Sequence, residues 1–210
     1  MQSSSLTRTT LLVAAKHLAT RDRDLRSVFE QHGPPPLWSR PQGFPTLVKI
    51  ILEQQVSLAS AASMFERLEK NIVPLQPERF LSQGESGLRS LGLTRQKTTY
   101  LLHLSEAVLN GNLRISRLAR MKDDEAKAAL IKLKGIGSWS ADIYLLMALR
   151  RPDVWPSGDL ALALSLARIR KLRKTPRPEE LITMAERWRP YRSVAARMLW
   201  QSYLAQRGQV

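Results

Sequence analysis

Residues 130–160 constrain the fold of this chain most, because two apolar helical runs meet there across one short turn. The stretch is LIKLKGIGSWSADIYLLMALRRPDVWPSGDL. Its first run ends near residue 134, the tripeptide Gly135-Ile136-Gly137 follows, and a second run continues to residue 149. Glycine permits the positive φ that a tight reversal needs, and Ile136 is expected to pack between the two helices. The sequence therefore predicts a helix–turn–helix hairpin.

The hairpin turn is also suited to holding a phosphate group. The amides of Gly135, Gly137 and Ser138 are expected to face outward at a helix N-terminus, where free N–H groups and the helix dipole favour an anion. A nucleotide-binding loop is excluded, because no strand precedes the glycines and no Gly-Lys-Ser/Thr follows them. On the turn alone, a packing motif without a ligand is an equal alternative.

A polar loop, Trp155-Pro156-Ser157-Gly158, separates the hairpin from a single acidic residue, Asp159. Asp159 begins the next apolar run, which extends to Leu172, so its simplest role is that of a helix N-cap. A capping position also holds a carboxylate rigidly and keeps it ionised. Capping and catalysis are therefore compatible at this residue.

The charge of the chain points to a polyanionic partner. Its 210 residues include 33 Lys and Arg against 18 Asp and Glu, which gives a net charge of +15. A field of this sign attracts nucleic acid, the commonest partner of its kind. An anionic membrane surface is the rival, but the basic residues are spread along the chain and do not gather on one amphipathic helix.

The absence of cysteine from the sequence removes several kinds of chemistry. Disulfides, a thiol nucleophile, Cys-ligated zinc and iron–sulfur clusters all require that residue. The three histidines, His17, His32 and His103, lie far apart and suggest no metal site. No secretory signal and no apolar run long enough to span a bilayer are visible, so a soluble intracellular protein is expected.

Helical patterns account for the rest of the chain and predict an all-α fold. Apolar residues recur at helical spacing over residues 6–31, and Gly33-Pro34-Pro35-Pro36 ends that run and begins a stiff connector. A long helical segment follows at 44–71, with a break near Gln54-Gln55. Further helices are expected at 77–91 (split at Gly84 and Gly87), from the N-cap Thr94 to Leu109, from the N-cap Asp123 or Asp124 to Leu133, and at 179–188 and 191–205.

The segment Arg95-Gln96-Lys97 falls on the first turn of the helix that Thr94 caps. Its basic side chains could contact phosphate, and a solvated helix face is at least as good an interpretation.

Several spaced motifs, in order, resemble the helix–hairpin–helix DNA glycosylase superfamily, most closely its bacterial 3-methyladenine DNA glycosylase II branch. They are LKGIGSWSAD followed by DVWPSGDLAL, ILEQQVS at 51–57, and ERWRPYRS at 186–193 with Trp200 beyond it. Together they cover most of residues 40–205. The resemblance implies an all-α, two-lobe fold with the active-site cleft between the lobes. One lobe would be residues 45–156 and the other residues 1–44 with 157–210, without the extra N-terminal sheet domain of the related bacterial enzyme.

The resemblance also implies an activity, the flipping and excision of alkylated bases from duplex DNA in base excision repair. Asp159 would stabilise the oxocarbenium-like transition state and activate water, and Trp139, Trp200 and Tyr144 would line the base pocket. Trp139 stands where family members that also cut the backbone carry a Schiff-base lysine, so a monofunctional enzyme without lyase activity is implied. For Trp139, Tyr144 and Trp200, a role as core residues is the alternative.

In the resembling family, the loop at 54–57 pushes a side chain into the duplex. By this likeness Gln55 is the wedge that fills the space left by the flipped base, with Gln54 and Ser57 beside it. The related enzyme has an apolar wedge, and this chain departs from it, although a planar amide can stack and pair with an orphaned base. The alternative is that both glutamines are exposed or hydrogen-bonded to backbone.

The resemblance places a flanking DNA phosphate on Lys134, Gly135, Ile136, Gly137 and Ser138. Family hairpins also bind a monovalent cation through backbone carbonyls, here those of Leu133 and Ile136, whereas no organic cofactor is implied. The expected partner is damaged double-stranded DNA, bound by a monomer in the cytoplasm at the bacterial nucleoid. Two alternatives remain open, namely a glycosylase of this fold for deaminated or oxidised bases, and a non-catalytic helix–hairpin–helix DNA-binding protein.

Overall fold

The computed structural model describes residues 5–208, and these residues form helices and loops without a β-strand. The predicted all-α fold is thus confirmed for this part of the chain. Twelve α-helices occur in it: α1 Arg8–Arg21, α2 Arg23–His32, α3 Phe44–Glu53, α4 Leu58–Asn71, α5 Pro77–Ser90, α6 Arg95–Leu109, α7 Ile115–Leu118, α8 Asp123–Ile131, α9 Ser138–Ile143, α10 Leu160–Ile169, α11 Pro178–Ala185 and α12 Arg192–Ala205. A π-helix at Tyr144–Ala148 continues α9, and a 3₁₀ turn at Glu186–Trp188 follows α11.

The chain divides into two compact units. The first combines the chain up to Ser39 with the chain from Leu145 onward, and the second is Arg40–Tyr144. The chain returns to the first unit inside the apolar π-helix, whereas the sequence placed this boundary at 156, in the polar loop. Two hydrogen bonds explain why residues before 156 already belong to the first unit. Ser5 Oγ donates to the Leu149 carbonyl at 3.0 Å, and the Leu6 amide donates to the Arg150 carbonyl at 2.8 Å.

The expected single helix at 6–31 is two helices, and Asp22 is the reason. Asp22 has an extended backbone, ends α1 and caps α2 by accepting the amides of Asp24 and Leu25 at 2.9 and 3.2 Å. It is also buried, and its second oxygen accepts the indole N–H of Trp188 at 2.8 Å. A polar residue within a helical pattern therefore marks a corner of the chain here.

Helix α12 forms the centre of the first unit. Ten consecutive residues, 193–202, are buried, which only a helix surrounded on every side permits. Arg197 lies among them with no exposed surface and spans three backbone carbonyls, donating to Leu37 at 2.9 Å, Ser193 at 3.0 Å and Leu146 at 2.8 Å. Burial lowers the pKa of Arg197 to about 9, so the guanidinium still carries its charge at neutral pH.

Local signals located most helices of the second unit correctly. Thr94 caps α6 as expected, and the break at Gln54-Gln55 separates α3 from α4. The expected Asp123 or Asp124 cap is wrong, because α8 begins at Asp123 and the Glu125 carboxylate accepts the Lys122 amide at 3.2 Å. Within α5, only Gly84 departs from helical geometry.

Lys97 does not lie on a solvated helix face. Its side chain is buried, and its ammonium group donates to the Leu52 carbonyl in the last turn of α3. Burial lowers the pKa of Lys97. The expectation of a phosphate contact is therefore wrong for Lys97, which instead secures the end of the helix that precedes Gln54 and Gln55.

Among the described residues, no helix has the length and apolar character needed to cross a membrane.

Candidate functional site

The hairpin turn is built on a glycine that no other residue can replace without strain. Gly135 has φ +87°, and a Cβ placed on it would lie 2.2 Å from Cγ of Tyr100. Ile136 is buried as predicted, and its amide donates to the Leu133 carbonyl at 3.1 Å. The ring of Tyr100 therefore sets how closely the turn packs on α6.

The second glycine of the turn faces open space. Gly137 has an ordinary negative φ, occupies the N-cap position of α9, and a Cβ on it would meet nothing within 4 Å. Three of the five residues predicted to hold a phosphate, Lys134, Gly137 and Ser138, are exposed on the surface of the second unit, whereas Gly135 is half-buried and Ile136 is buried. The Ser138 hydroxyl donates to Asp142 at 3.4 Å, and Asp142 in turn pairs with Lys127 at 2.8 Å, which joins α9 to α8.

Gln54 joins the loop between α3 and α4 to the hairpin. Its side chain is half-buried, and Nε2 donates to the Gly135 carbonyl and to Ser140 Oγ, both at 2.8 Å. The alternative of a hydrogen bond to backbone therefore holds for Gln54. Sequence reasoning placed the two motifs in the same site but did not foresee this direct link between them.

Gln55 stands at the exposed tip of the same loop. It has φ +56°, a left-handed conformation that is uncommon for a residue with a side chain. Ser57 caps α4 by accepting the Ser60 amide at 3.2 Å, and Val56 and Leu58 next to the tip are exposed apolar residues. Lys97 bonds to the last turn of α3 and Gln54 to the hairpin, so the residues that lead to Gln55 are anchored on both α6 and the hairpin.

Asp159 lies in the first unit, and hydrogen bonds to Oδ1 hold its carboxylate. Oδ1 accepts the Leu162 amide at 3.0 Å and the indole N–H of Trp200 at 3.2 Å, and only 8% of the residue is exposed. The expected N-cap of α10 is confirmed. Gly158, with φ +81°, turns the chain immediately before it. Asp159 and Trp200 are therefore brought together, 41 residues apart in sequence.

Trp38 is the residue at this site that sequence reasoning missed. Its ring meets the ring of Trp200 edge to face, with centroids 6.4 Å apart. The backbone of Trp38 has φ +44°. The carbonyl of the preceding residue, Leu37, accepts a hydrogen bond from Nε of the buried Arg197. The available signal was an aromatic residue within a Pro-rich connector, and it was overlooked because the segment was interpreted only as a connector.

The two remaining aromatic candidates belong to the second unit. Trp139 is half-buried in α9. Tyr144 is fully buried, its hydroxyl accepts the Gly43 amide at 3.2 Å, and burial raises the pKa of this phenol.

The sequence of the chain matches a known family model over residues 48–190, a range that contains both the hairpin and Asp159. That family is described as the HhH-GPD superfamily of base excision DNA repair proteins. This chain belongs to it.

One relative of this chain is named for its similarity to DNA-3-methyladenine glycosylases. Bacillus subtilis YfjP, provisionally named a DNA-3-methyladenine glycosylase, is 30% identical over 186 residues, which are 85% of this chain and 65% of that protein. This chain thus spans just under two thirds of that relative's length.

Solved structures agree with the HhH-GPD assignment. The 3-methyladenine DNA glycosylase Mag1 of Schizosaccharomyces pombe, solved in complex with abasic DNA, matches with a TM-score of 0.83 and 26% identity, covering 90% of this chain and 95% of that one. A DNA-3-methyladenine glycosidase from Bacillus halodurans matches with a TM-score of 0.79 and 26% identity, covering 100% and 95% of the two chains. The all-α HhH-GPD fold and the predicted family are therefore confirmed.

Proposed function

We propose that this HhH-GPD protein is a monofunctional DNA N-glycosylase that releases alkylated bases of the 3-methyladenine type from duplex DNA. The observation that carries the proposal is the carboxylate of Asp159, buried at the start of α10 and fixed through Oδ1 by a backbone amide and the Trp200 indole. The names of the relatives support the substrate class.

Asp159 has the properties that an electrostatic catalyst of base release needs. An alkylated purine carries positive charge and departs readily, leaving an oxocarbenium-like sugar in the transition state. A preorganised carboxylate stabilises that cation without the cost of reorienting solvent, and it can orient or deprotonate the attacking water. The contacts at Oδ1 hold the group in place for both tasks.

The indole rings of the site suit a cationic base. Electron-rich aromatic faces attract a cation placed over them, and a neutral normal base gains less from the same contact. Trp200 and Trp38 provide such rings in the first unit. We propose that Trp139, in α9 of the second unit, stacks on a base of the bound DNA, and its indole cannot form the Schiff base on which lyase activity depends. The buried phenol of Tyr144 supports the backbone at Gly43.

The hairpin and the loop before α4 are proposed to hold the DNA. The amides of Gly135, Gly137 and Ser138 and the exposed Lys134 would bind one backbone phosphate, whereas the Ile136 amide is already bonded to the Leu133 carbonyl. Gln55 would enter the duplex and occupy the space of the extruded base, with Ser57 beside it and Gln54 tying the tip to the hairpin. The carbonyls of Leu133 and Ile136 are the proposed ligands of a monovalent cation, and the Leu133 carbonyl keeps a second lone pair beside its bond to the Ile136 amide.

No organic cofactor enters the proposal, and without cysteine the chain cannot ligate an iron–sulfur cluster through thiolates. Release of one base needs one such chain on one damaged duplex, so we propose a monomer that acts on chromosomal DNA in the cytoplasm.

The proposed function is tested by incubating the protein with methylated duplex DNA and analysing the released bases. We expect free 3-methyladenine and an intact backbone that breaks only after alkali treatment, because an abasic site remains. Strand cleavage without alkali would contradict the monofunctional assignment. Release of deaminated or oxidised bases in place of methylated ones would contradict the substrate class, and binding without release of any base would favour the non-catalytic alternative.

We expect Gly135→Ala to weaken binding to an abasic-site duplex by at least about tenfold, since a Cβ forced against Tyr100 displaces the turn and its amides. Gly84→Ala is the matched control, because Gly84 in α5 also has a positive φ, its Cβ would meet nothing within 4 Å, and it has no proposed contact with DNA. Fluorescence anisotropy of a labelled duplex measures both. Equal affinities for the two variants would contradict the role of the turn.

A further inference from the structure

A basic cleft lies in the first unit at the corner between α1 and α2. Its volume is about 460 Å³, and the 3₁₀ turn after α11 closes it on one side. The residues that decide its chemistry are His17, Arg21, Asp22, Arg23, Arg187 and Trp188. None of them has a role in the proposed excision.

The negative charge in this cleft is already neutralised within the protein. Asp22 is buried, caps α2, accepts the Trp188 indole at 2.8 Å and lies 3.8 Å from both Arg170 and Arg187. Asp24 accepts Nε of Arg170 at 2.8 Å. Neither carboxylate therefore offers an open site for a cationic ligand.

Most of the positive charge in this cleft, in contrast, is not neutralised by a carboxylate within the described residues. Arg21 and Arg23 are exposed, and within residues 5–208 neither side chain forms a hydrogen bond or an ion pair. The Arg187 side chain is 62% exposed, and its contact with Asp22 is long, at 3.8 Å. Arg189, which also lines the cleft, is committed elsewhere, because it binds Asp153 at 2.7 Å and Glu186 at 2.6 Å.

The location of Arg23 is not explained by helix stability. It is the first residue of α2, where the helix dipole disfavours a cation. Arg21, in the last turn of α1, extends from the other side of the same corner. Two guanidinium groups therefore stand on either side of the buried aspartate that caps α2, and the concave surface has an excess of forked N–H donors. This arrangement fits phosphate oxygens.

We propose that this cleft, which we call the α1–α2 cleft, is a phosphate-binding site separate from the hairpin. Arg21, Arg23 and Arg187 would bind the phosphate oxygens, and Trp188 and His17 form the wall behind it. The phosphate could belong to a backbone phosphodiester of DNA or to a free phosphate monoester, and these two sources are separable by experiment. The inference does not depend on base excision.

The indole N–H of Trp188 makes the α1–α2 cleft observable. It donates to Asp22 at the floor of the cleft, and the chain has five tryptophans, so its signal is separable in a ¹⁵N-correlated spectrum. Wild-type protein is titrated with inorganic phosphate, with a nucleoside 5′-monophosphate and with an undamaged duplex, and the Trp188 indole and the Arg Nε–H signals are followed.

The variant that tests the α1–α2 cleft is Arg21→Gln combined with Arg23→Gln, and its matched control is Arg8→Gln combined with Lys16→Gln. Both remove two positive charges from exposed positions, and Arg8 begins α1 as Arg23 begins α2. Neither control residue lines the cleft. If the phosphate is that of DNA, the cleft variant should bind undamaged duplex roughly three- to tenfold more weakly than the control, with a salt slope smaller by about one.

The outcomes separate the sources and the proposals. A shift of Trp188 with duplex, lost in the cleft variant, supports a backbone phosphate, and a shift with phosphate and monophosphate alone supports a free phosphate monoester. No shift with any of the three probes, or a Trp188 shift that the cleft variant and its control lose to the same extent, would overturn the inference. Because undamaged DNA is used, failure of the base-release experiment leaves this result unaffected.

Discussion

We expect Asp159→Asn to lower the rate of base release from methylated DNA by at least about 100-fold while affinity for an abasic-site duplex stays within about threefold. Asparagine keeps the carbonyl oxygen that accepts the Leu162 amide and the Trp200 indole, and it is an equally good N-cap. The substitution therefore removes the negative charge and leaves the geometry. Single-turnover release of 3-methyladenine measures the chemical step apart from product dissociation.

The control for Asp159→Asn is Asp124→Asn, which makes the same change of charge at an exposed position in the first turn of α8. We expect its release rate to equal that of the wild type within about twofold, because an exposed charge is screened by salt. If Asp159→Asn released methylated bases as fast as this control, the carboxylate would not be the stabilising group, and the mechanism proposed here would be wrong.

We expect Arg197→Met to lower the free energy of unfolding by about 2–4 kcal/mol. Methionine keeps much of the apolar volume, but the carbonyls of Leu37 and Leu146 lose their donor in a part of the structure that water does not reach. An unsatisfied buried carbonyl is costly because it exchanges a hydrogen bond to water for none. Urea unfolding followed by circular dichroism measures the change.

Two further variants make the Arg197 result specific. Arg207→Met removes an exposed arginine that donates to the Tyr203 hydroxyl at 2.7 Å, and its effect should stay within about 0.5 kcal/mol. Arg197→Lys keeps the charge, but one ammonium group cannot span three carbonyls, so an intermediate loss is expected. Equal stabilities for Arg197→Met and Arg207→Met would show that the three hydrogen bonds contribute little. Because Leu37 precedes Trp38, we also expect Arg197→Met to weaken the packing of Trp38 on Trp200.

The hairpin was predictable because its determinants are local. A glycine with positive φ, an apolar residue between two glycines, and a helical run on each side are all properties of neighbouring residues, and the turn at Gly135 has the expected form. The caps at Thr94 and Asp159 were found for the same reason, since a cap bonds to amides two or three residues along the chain. The order of these motifs was enough to predict the family.

Local patterns failed where a residue's role depends on a distant partner. Asp22 looked like one polar residue in a long helix, but its bond to Trp188, 166 residues away, makes it a corner. Lys97 looked like a surface cation, but the Leu52 carbonyl, 45 residues away, draws it inside. Trp38 looked like part of a connector, and only its contact with Trp200 makes it part of the candidate site.

The sequence by itself therefore determined the all-α class, the family, the position of the hairpin and the identity of Asp159 as the acid at the start of α10. The tertiary structure decided which indole holds that acid, how Gln54 fixes the loop that carries Gln55, where the two units divide, and where exposed arginines gather into a cleft. The physical reason is one of range. Backbone conformation and capping are set within about one helical turn, whereas burial, ion pairing and the neutralisation of charge depend on residues that only folding brings together.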